Sequence, residues 1–76
     1  MEIHEFIENF ADLFDDTDRD LFSEDTVYRD LDEWSSLTAL AVINMIEKRY
    51  NIIIKNEDMR TTKTIKELFN LLQSKH

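Results

Sequence analysis

Apolar residues recur along this chain in helical stripes, separated by stretches too polar or too irregular to continue them. The first stripe, Ile3, Phe6, Ile7, Phe10, Leu13 and Phe14, follows the i, i+3, i+4, i+7 spacing of one helix face. It predicts a helix from about Glu2 to Phe14, with Glu2, Glu5, Glu8 and Asp12 on the opposite side. The second stripe begins around Ser35 or Ser36 and runs to about Tyr50, through Leu37, Leu40, Ala41, Val42, Ile43, Met45 and Ile46. Its apolar surface is wider than one core stripe needs. Val42, Ile43, Ile46 and Tyr50 are expected in the core, and Leu37 and Leu40, nearest the start, on a contact face. The last stripe, Ile65, Leu68, Phe69 and Leu72, opens at Thr64 with Glu67 three residues on, the spacing of a capping box.

Between the first two stripes, Asp15 to Asp32 reads as a long connection held by short apolar anchors, Leu21-Phe22, Val27-Tyr28 and Leu31. Connections of this length inside a compact domain are often functional. Ile52-Ile53-Ile54 is β-branched, but no partner strand is in sight, so it reads as a buried loop crossing. A short helical turn, Asn56 to Arg60, is expected after it, with Asn56 as cap and Met59 inward. Asn51 suits a left-handed residue closing the second helix. The expected fold is therefore all-α: a small antiparallel four-helix bundle of three longer helices and one short one, with a long first loop.

Composition narrows the function. The chain has 76 residues, no glycine, no proline and no cysteine. A domain of this size buries only about 60% of its unfolded surface and has little room for a deep substrate pocket. Without cysteine there is neither a disulfide nor a thiolate metal site, and His4 and His76 stand at opposite ends. No set of nucleophile, base and orienting group is evident, so catalysis is not expected. No apolar run approaches about 20 residues, and the first residues are acidic where a signal peptide would be basic, so a cytoplasmic protein without membrane insertion is expected.

Charge is uneven. Residues 1–33 carry thirteen acids against Arg19 and Arg29, a local balance of −11; residues 34–76 carry +3, giving −8 in all. Such a front half repels nucleic acid and anionic lipid and attracts basic protein surfaces, although a solubilising charge run would look the same. The acids Asp16, Asp18 and Asp20 match the first ligand positions of an EF-hand loop, but that motif then requires glycine and a twelfth-position glutamate where this chain has Leu21 and Val27. No metal site is expected.

Chemistry concentrates in Asp30-Leu31-Asp32-Glu33-Trp34-Ser35-Ser36-Leu37. Two hydroxyls stand at the start of the apolar-faced helix. A serine so placed most often only caps the helix, contributing about 1 kcal/mol. The same position also favours a phosphate, because unsatisfied backbone N–H groups and the helix dipole point at it. Trp34 is open to two readings, a core plug or a partner anchor.

Over nearly its whole length the chain resembles the acyl carrier protein family. Asp30-Leu31 through Ser36-Leu37 is similar to the family's attachment motif, Asp-Leu-(variable)-Asp-Ser-Leu; Met45-Ile46-Glu47, Tyr50, Ile52, Ile54, Thr64-Ile65 and Leu68 add further matches. The resemblance implies a 4′-phosphopantetheine arm attached to Ser36 by a phosphopantetheinyl transferase that uses coenzyme A. It further implies a thiol on that arm that carries acyl groups as thioesters to acyl-loading and acyl-transferring enzymes with basic docking surfaces. On this reading the chain is a monomer that docks through Asp30, Asp32, Glu33, Trp34, Leu37, Leu40 and Glu47.

Two departures stand out. Ser35 replaces the family's usual aspartate, which makes it a second candidate for modification, and the outer face of the second helix keeps Glu47 as its main acid. These point away from housekeeping fatty-acid synthesis toward a specialised pathway. Aminoacyl or peptidyl cargo and an unmodified acidic interaction module are the alternatives.

Overall fold

The structure, a computed structural model, describes residues 2–75. Four α-helices follow one another along the chain: α1 (Ile3–Ala11), α2 (Ser36–Tyr50), α3 (Asn56–Thr61) and α4 (Ile65–Lys75). Among the described residues there is no strand beyond an isolated antiparallel bridge between Val27 and Thr64. The Cα radius of gyration, 11.1 Å, matches the roughly 11 Å expected of a folded domain of this length.

All eight aromatic residues belong to one connected cluster, and this cluster organises the core. Phe6 and Phe10 of α1 are wholly buried. Phe6 meets Phe69 of α4 at 5.7 Å and Tyr50 of α2 at 5.9 Å between ring centroids. Phe10 and Phe14 meet Phe22, and Trp34 lies 5.0 Å from Tyr28. Edge-on and tilted pairs at these separations favour the ring quadrupoles beyond simple area burial. Val42, Ile46, Ile65, Leu68 and Leu72 fill the space between, with no exposed surface.

The first helix is shorter than its stripe. It stops at Ala11, and the next turn tightens: the Leu13 and Phe14 amides donate to the carbonyls three residues back, Phe10 and Ala11. Phe14 still points inward, because i→i+3 bonding keeps it near the same face.

The long connection is not structureless. It contains two 3-10 turns, Arg19–Leu21 and Tyr28–Asp30. Phe22 and Tyr28 are its buried anchors; Leu21, expected beside them, is 60% exposed. The Tyr28 hydroxyl reaches the carbonyls of Met59 and Thr62, both at 2.7 Å, and the Thr62 hydroxyl. Arg29 Nη1 donates to the Met59 carbonyl at 2.8 Å. Orphan carbonyls at the C-terminus of α3 are thereby satisfied by the loop. Burial raises the Tyr28 phenol above its ordinary pKa, against the smaller opposing effect of the Thr62 hydrogen bond.

Helix ends follow local chemistry. Asn51 is left-handed (φ 57°, ψ 38°) and its amide donates to Glu47 O at 2.9 Å, closing α2 as expected. The three isoleucines alternate instead of all turning inward: Ile52 and Ile54 are buried, while Ile53 is 69% exposed, because extended backbone sends successive side chains to opposite sides. The cap of α3 is Lys55, not Asn56; the Asp58 carboxylate accepts the Lys55 amide at 3.0 Å. At α4, Thr64 Oγ1 accepts from the Glu67 amide at 3.1 Å, while the Glu67 carboxylate takes the amide of Lys63 at 2.7 Å, one residue earlier than a strict capping box would place it.

Candidate functional site

The start of α2 is built by three hydroxyls, of which two are already committed. Ser35 is the N-cap, in extended backbone (φ −156°, ψ 177°). Its Oγ accepts from the Thr38 amide at 3.3 Å and lies 3.2 Å from Thr38 Oγ1, which itself donates to the Glu33 carbonyl at 2.8 Å. These contacts are mutually consistent when Ser35 donates to Thr38 and Thr38 donates to Glu33. Ser36, the first residue of the helix, is exposed, and among the described residues its hydroxyl has no hydrogen-bond partner. One serine is spent on capping and the other is presented to solvent.

Leu37 and Leu40 share that outward side, 79% and 50% exposed, while Val42, Met45 and Ile46 face the core. Ile43 and Tyr50 are half-buried against the same core. The wide apolar band of α2 therefore divides into a buried half and an exposed N-terminal half, as its breadth suggested.

A groove of about 610 Å³ opens between the start of α2 and α3. Trp34, Ser35, Ser36, Leu37 and Leu40 line one side, and Asn56, Met59, Arg60 and Arg29 the other. Trp34 packs as the core plug and keeps an accessible edge. It is half-buried, stacked at 6.4 Å on both Phe10 and Phe14, and it also contributes to the groove wall.

The acids proposed for docking occupy different ground. Asp30, Asp32 and Glu33 line a second depression, with Asp16, Thr17, Asp18, Leu21 and Leu31. Asp30 and Asp32 are exposed. Glu33 is not free: its carboxylate accepts from the Asp16 amide at 3.0 Å and from the Thr17 hydroxyl, clasping the start of the loop to the residues just before α2. Glu47 is exposed on α2, eleven positions beyond Ser36 and so about 16 Å further along the axis. Trp34, Ser36, Leu37 and Leu40 are thus brought together, the acids form a neighbouring patch, and Glu47 stands apart.

Sequence reasoning missed Arg29, Asn56, Met59 and Arg60 as groove residues. Arg29 carried a faint signal, being one of two bases among the first 33 residues. The other three belong to the wall only through the packing of α3 against α2.

Among the described residues, no three His, Cys, Asp or Glu side chains come together as a possible metal site. His4 is exposed on α1, and His76 lies outside the described residues. Among the described residues, no helix is long and apolar enough to cross a membrane. No family model matches the chain, and neither a curated protein nor a solved structure matches it.

Proposed function

We propose that this chain is a non-catalytic carrier, bearing acyl groups as thioesters on a 4′-phosphopantetheine arm attached to Ser36. The observation that carries the reading is the division of labour between adjacent serines: Ser35 is held in the cap and Ser36 is exposed and unpartnered. The site fits the group. A phosphodiester on Ser36 Oγ would meet the positive end of a 15-residue helix, and the exposed hydroxyl leaves room for an arm that no pocket in so small a domain would need to enclose. When bound, the arm supplies a thiol for thioester exchange. The chain's own part is to hold the attachment oxygen on a rigid helix end.

Attachment requires a phosphopantetheinyl transferase. Ser36 Oγ forms a bond to the pantetheine-bearing phosphorus of coenzyme A; the pyrophosphate bridge breaks, adenosine 3′,5′-bisphosphate leaves, and the hydroxyl proton passes to a base on the transferase. Loading and unloading enzymes with basic surfaces would be attracted by the acidic front of the chain, with Asp30 and Asp32 exposed beside the site. Exposed Leu37 and Leu40 supply an apolar contact next to the attachment point. In this reading the helices form an antiparallel four-helix bundle, and the protein acts as a cytoplasmic monomer in a lipid or specialised biosynthetic pathway. Aminoacyl or peptidyl cargo would use the same attachment.

Intact-mass spectrometry after incubation with coenzyme A and a broad-specificity phosphopantetheinyl transferase tests this. The expected result is a gain of about 340 Da, from the formula of the arm, abolished by Ser36→Ala and kept by Ser35→Ala. An unchanged mass overturns the carrier reading and leaves an acidic interaction module using the Leu37–Leu40 surface.

A further inference from the structure

The groove beside Ser36 holds an electrostatic anomaly. The chain has 17 acids and nine Lys and Arg side chains, yet the groove wall contains Arg29 and Arg60 and not one carboxylate. Neither arginine is neutralised elsewhere. The ion pairs among the described residues are Arg19 with Asp12 and Lys66 with Glu24. In a strongly anionic protein, two unpaired guanidinium groups in one recess make a local positive site facing the serine.

Arg29 is also pre-positioned. Its Nη1 is tied to the carbonyls of Met59 and Arg60, at 2.8 and 3.3 Å, and its guanidinium carbon lies 5.7 Å from the centroid of the Tyr28 ring. Those contacts use one nitrogen and orient the plane, leaving Nη2 and Nε as donors. Arg60, exposed on α3, lines the same groove, and its carbonyl lies 3.3 Å from Arg29 Nη1. A planar fork held in place matches phosphate oxygens better than a mobile ammonium does.

Resting on the carrier reading, we propose that Arg29 and Arg60 are positioning residues that hold the phosphodiester of the Ser36 arm against the α2–α3 groove. The positive recess clamps the root of the arm and leaves its distal thiol end to move. Charge complementarity selects the occupant: a monoanionic phosphodiester, tethered at the groove edge, facing two cations with no competing carboxylate.

The test uses ¹⁵N-labelled full chain, apo and after complete conversion by transferase and coenzyme A, followed by the arginine Nε–H resonances and by ³¹P NMR. Conversion is expected to shift the Nε–H signals of Arg29 and Arg60 while leaving that of Arg49, whose residue does not line the groove, in place. Added salt should move the shifted signals back toward the apo positions. Arg60→Gln should move and sharpen the ³¹P resonance of the converted protein, and Arg49→Gln should not. Arg60 is exposed and makes no side-chain hydrogen bond among the described residues, so its replacement tests the phosphate contact without disturbing the fold. A full mass gain with unmoved Arg29 and Arg60 signals overturns this inference and leaves the carrier reading standing. Absence of any mass gain overturns both.

Discussion

The Tyr28 hydroxyl lies 2.7 Å from the Met59 carbonyl, 31 positions further along the chain. That contact, repeated to Thr62, fastens the long first connection to the end of α3. Removing the hydroxyl in Tyr28→Phe leaves the Thr62 carbonyl without its donor, while the Met59 carbonyl keeps Arg29; one unmet buried acceptor costs about 1–3 kcal/mol. A thermal midpoint lower by roughly 4–8 °C per kcal/mol is expected for a domain of this size. An unchanged midpoint by calorimetry would mean that the Tyr28 tie contributes nothing to stability.

The same residue sets an alkaline limit. Burial raises the Tyr28 pKa in the folded state, and burial likewise raises that of Tyr50. Stability from such a group is complete below the unfolded tyrosine value, about 10, and is lost as pH climbs from there through the higher folded value. Urea midpoints measured from pH 8 to pH 11 should fall above pH 10. In Tyr28→Phe the decline should be shallower, with Tyr50 accounting for what is left.

Asn51 isolates a backbone effect. Its left-handed conformation (φ 57°) is the single positive φ among the described residues. A Cβ-bearing residue without a local hydrogen-bonding side chain pays about 1–2 kcal/mol there, so Asn51→Ala should lower the urea midpoint by that equivalent. Asn51→Gly should hold it or raise it slightly. Equal loss in both variants would show that the Asn51 side chain, not its φ, closes the helix.

The helix ends also show what was readable beforehand. The Ser35–Ser36 start was legible because N-capping is local: the Ser35 hydroxyl answers the amide three residues on. Asn51 was legible for another reason, the tolerance of asparagine for the left-handed backbone that closes a helix. The end of α1 was not, because Leu13 and Phe14 satisfy an α-helical stripe and a tightened 3-10 turn equally well. Asn56 lost its capping role to Lys55 because Asp58, three residues on, takes the Lys55 amide whatever the Lys55 side chain does. Ile53 and Leu21 turned outward since a hydrophobic run says nothing about which member an extended segment leaves over. The groove was least legible of all. Arg29, Met59 and Arg60 meet Ser36 only through packing across the chain.

The cap can be separated from the modification site. Ser35→Ala removes the acceptor for the Thr38 amide and should destabilise the protein by about 1 kcal/mol, read from chemical denaturation. Loading at Ser36 should survive at full extent. Loss of the mass gain in Ser35→Ala would move the attachment to the cap residue.

Leu37 and Leu40 are predicted to matter to partners and not to folding. Being largely exposed, they can be replaced together by alanine with a stability change within about 0.5 kcal/mol. The kcat/KM of the transferase on the double variant should fall about tenfold, equivalent to about 1.4 kcal/mol of lost contact. Unaltered kinetics would exclude this face from the encounter.

Trp34, the lone indole of the chain, stands between Phe10 and Phe14 on one side and the mouth beside Ser36 on the other. Nature has thus supplied an intrinsic fluorophore: Tyr28, with its centroid 5.0 Å away, passes excitation to it most completely while the chain is folded. Emission wavelength will register wetting or covering of the recess, and recovery of tyrosine emission will register unfolding, so one unlabelled sample reports both events.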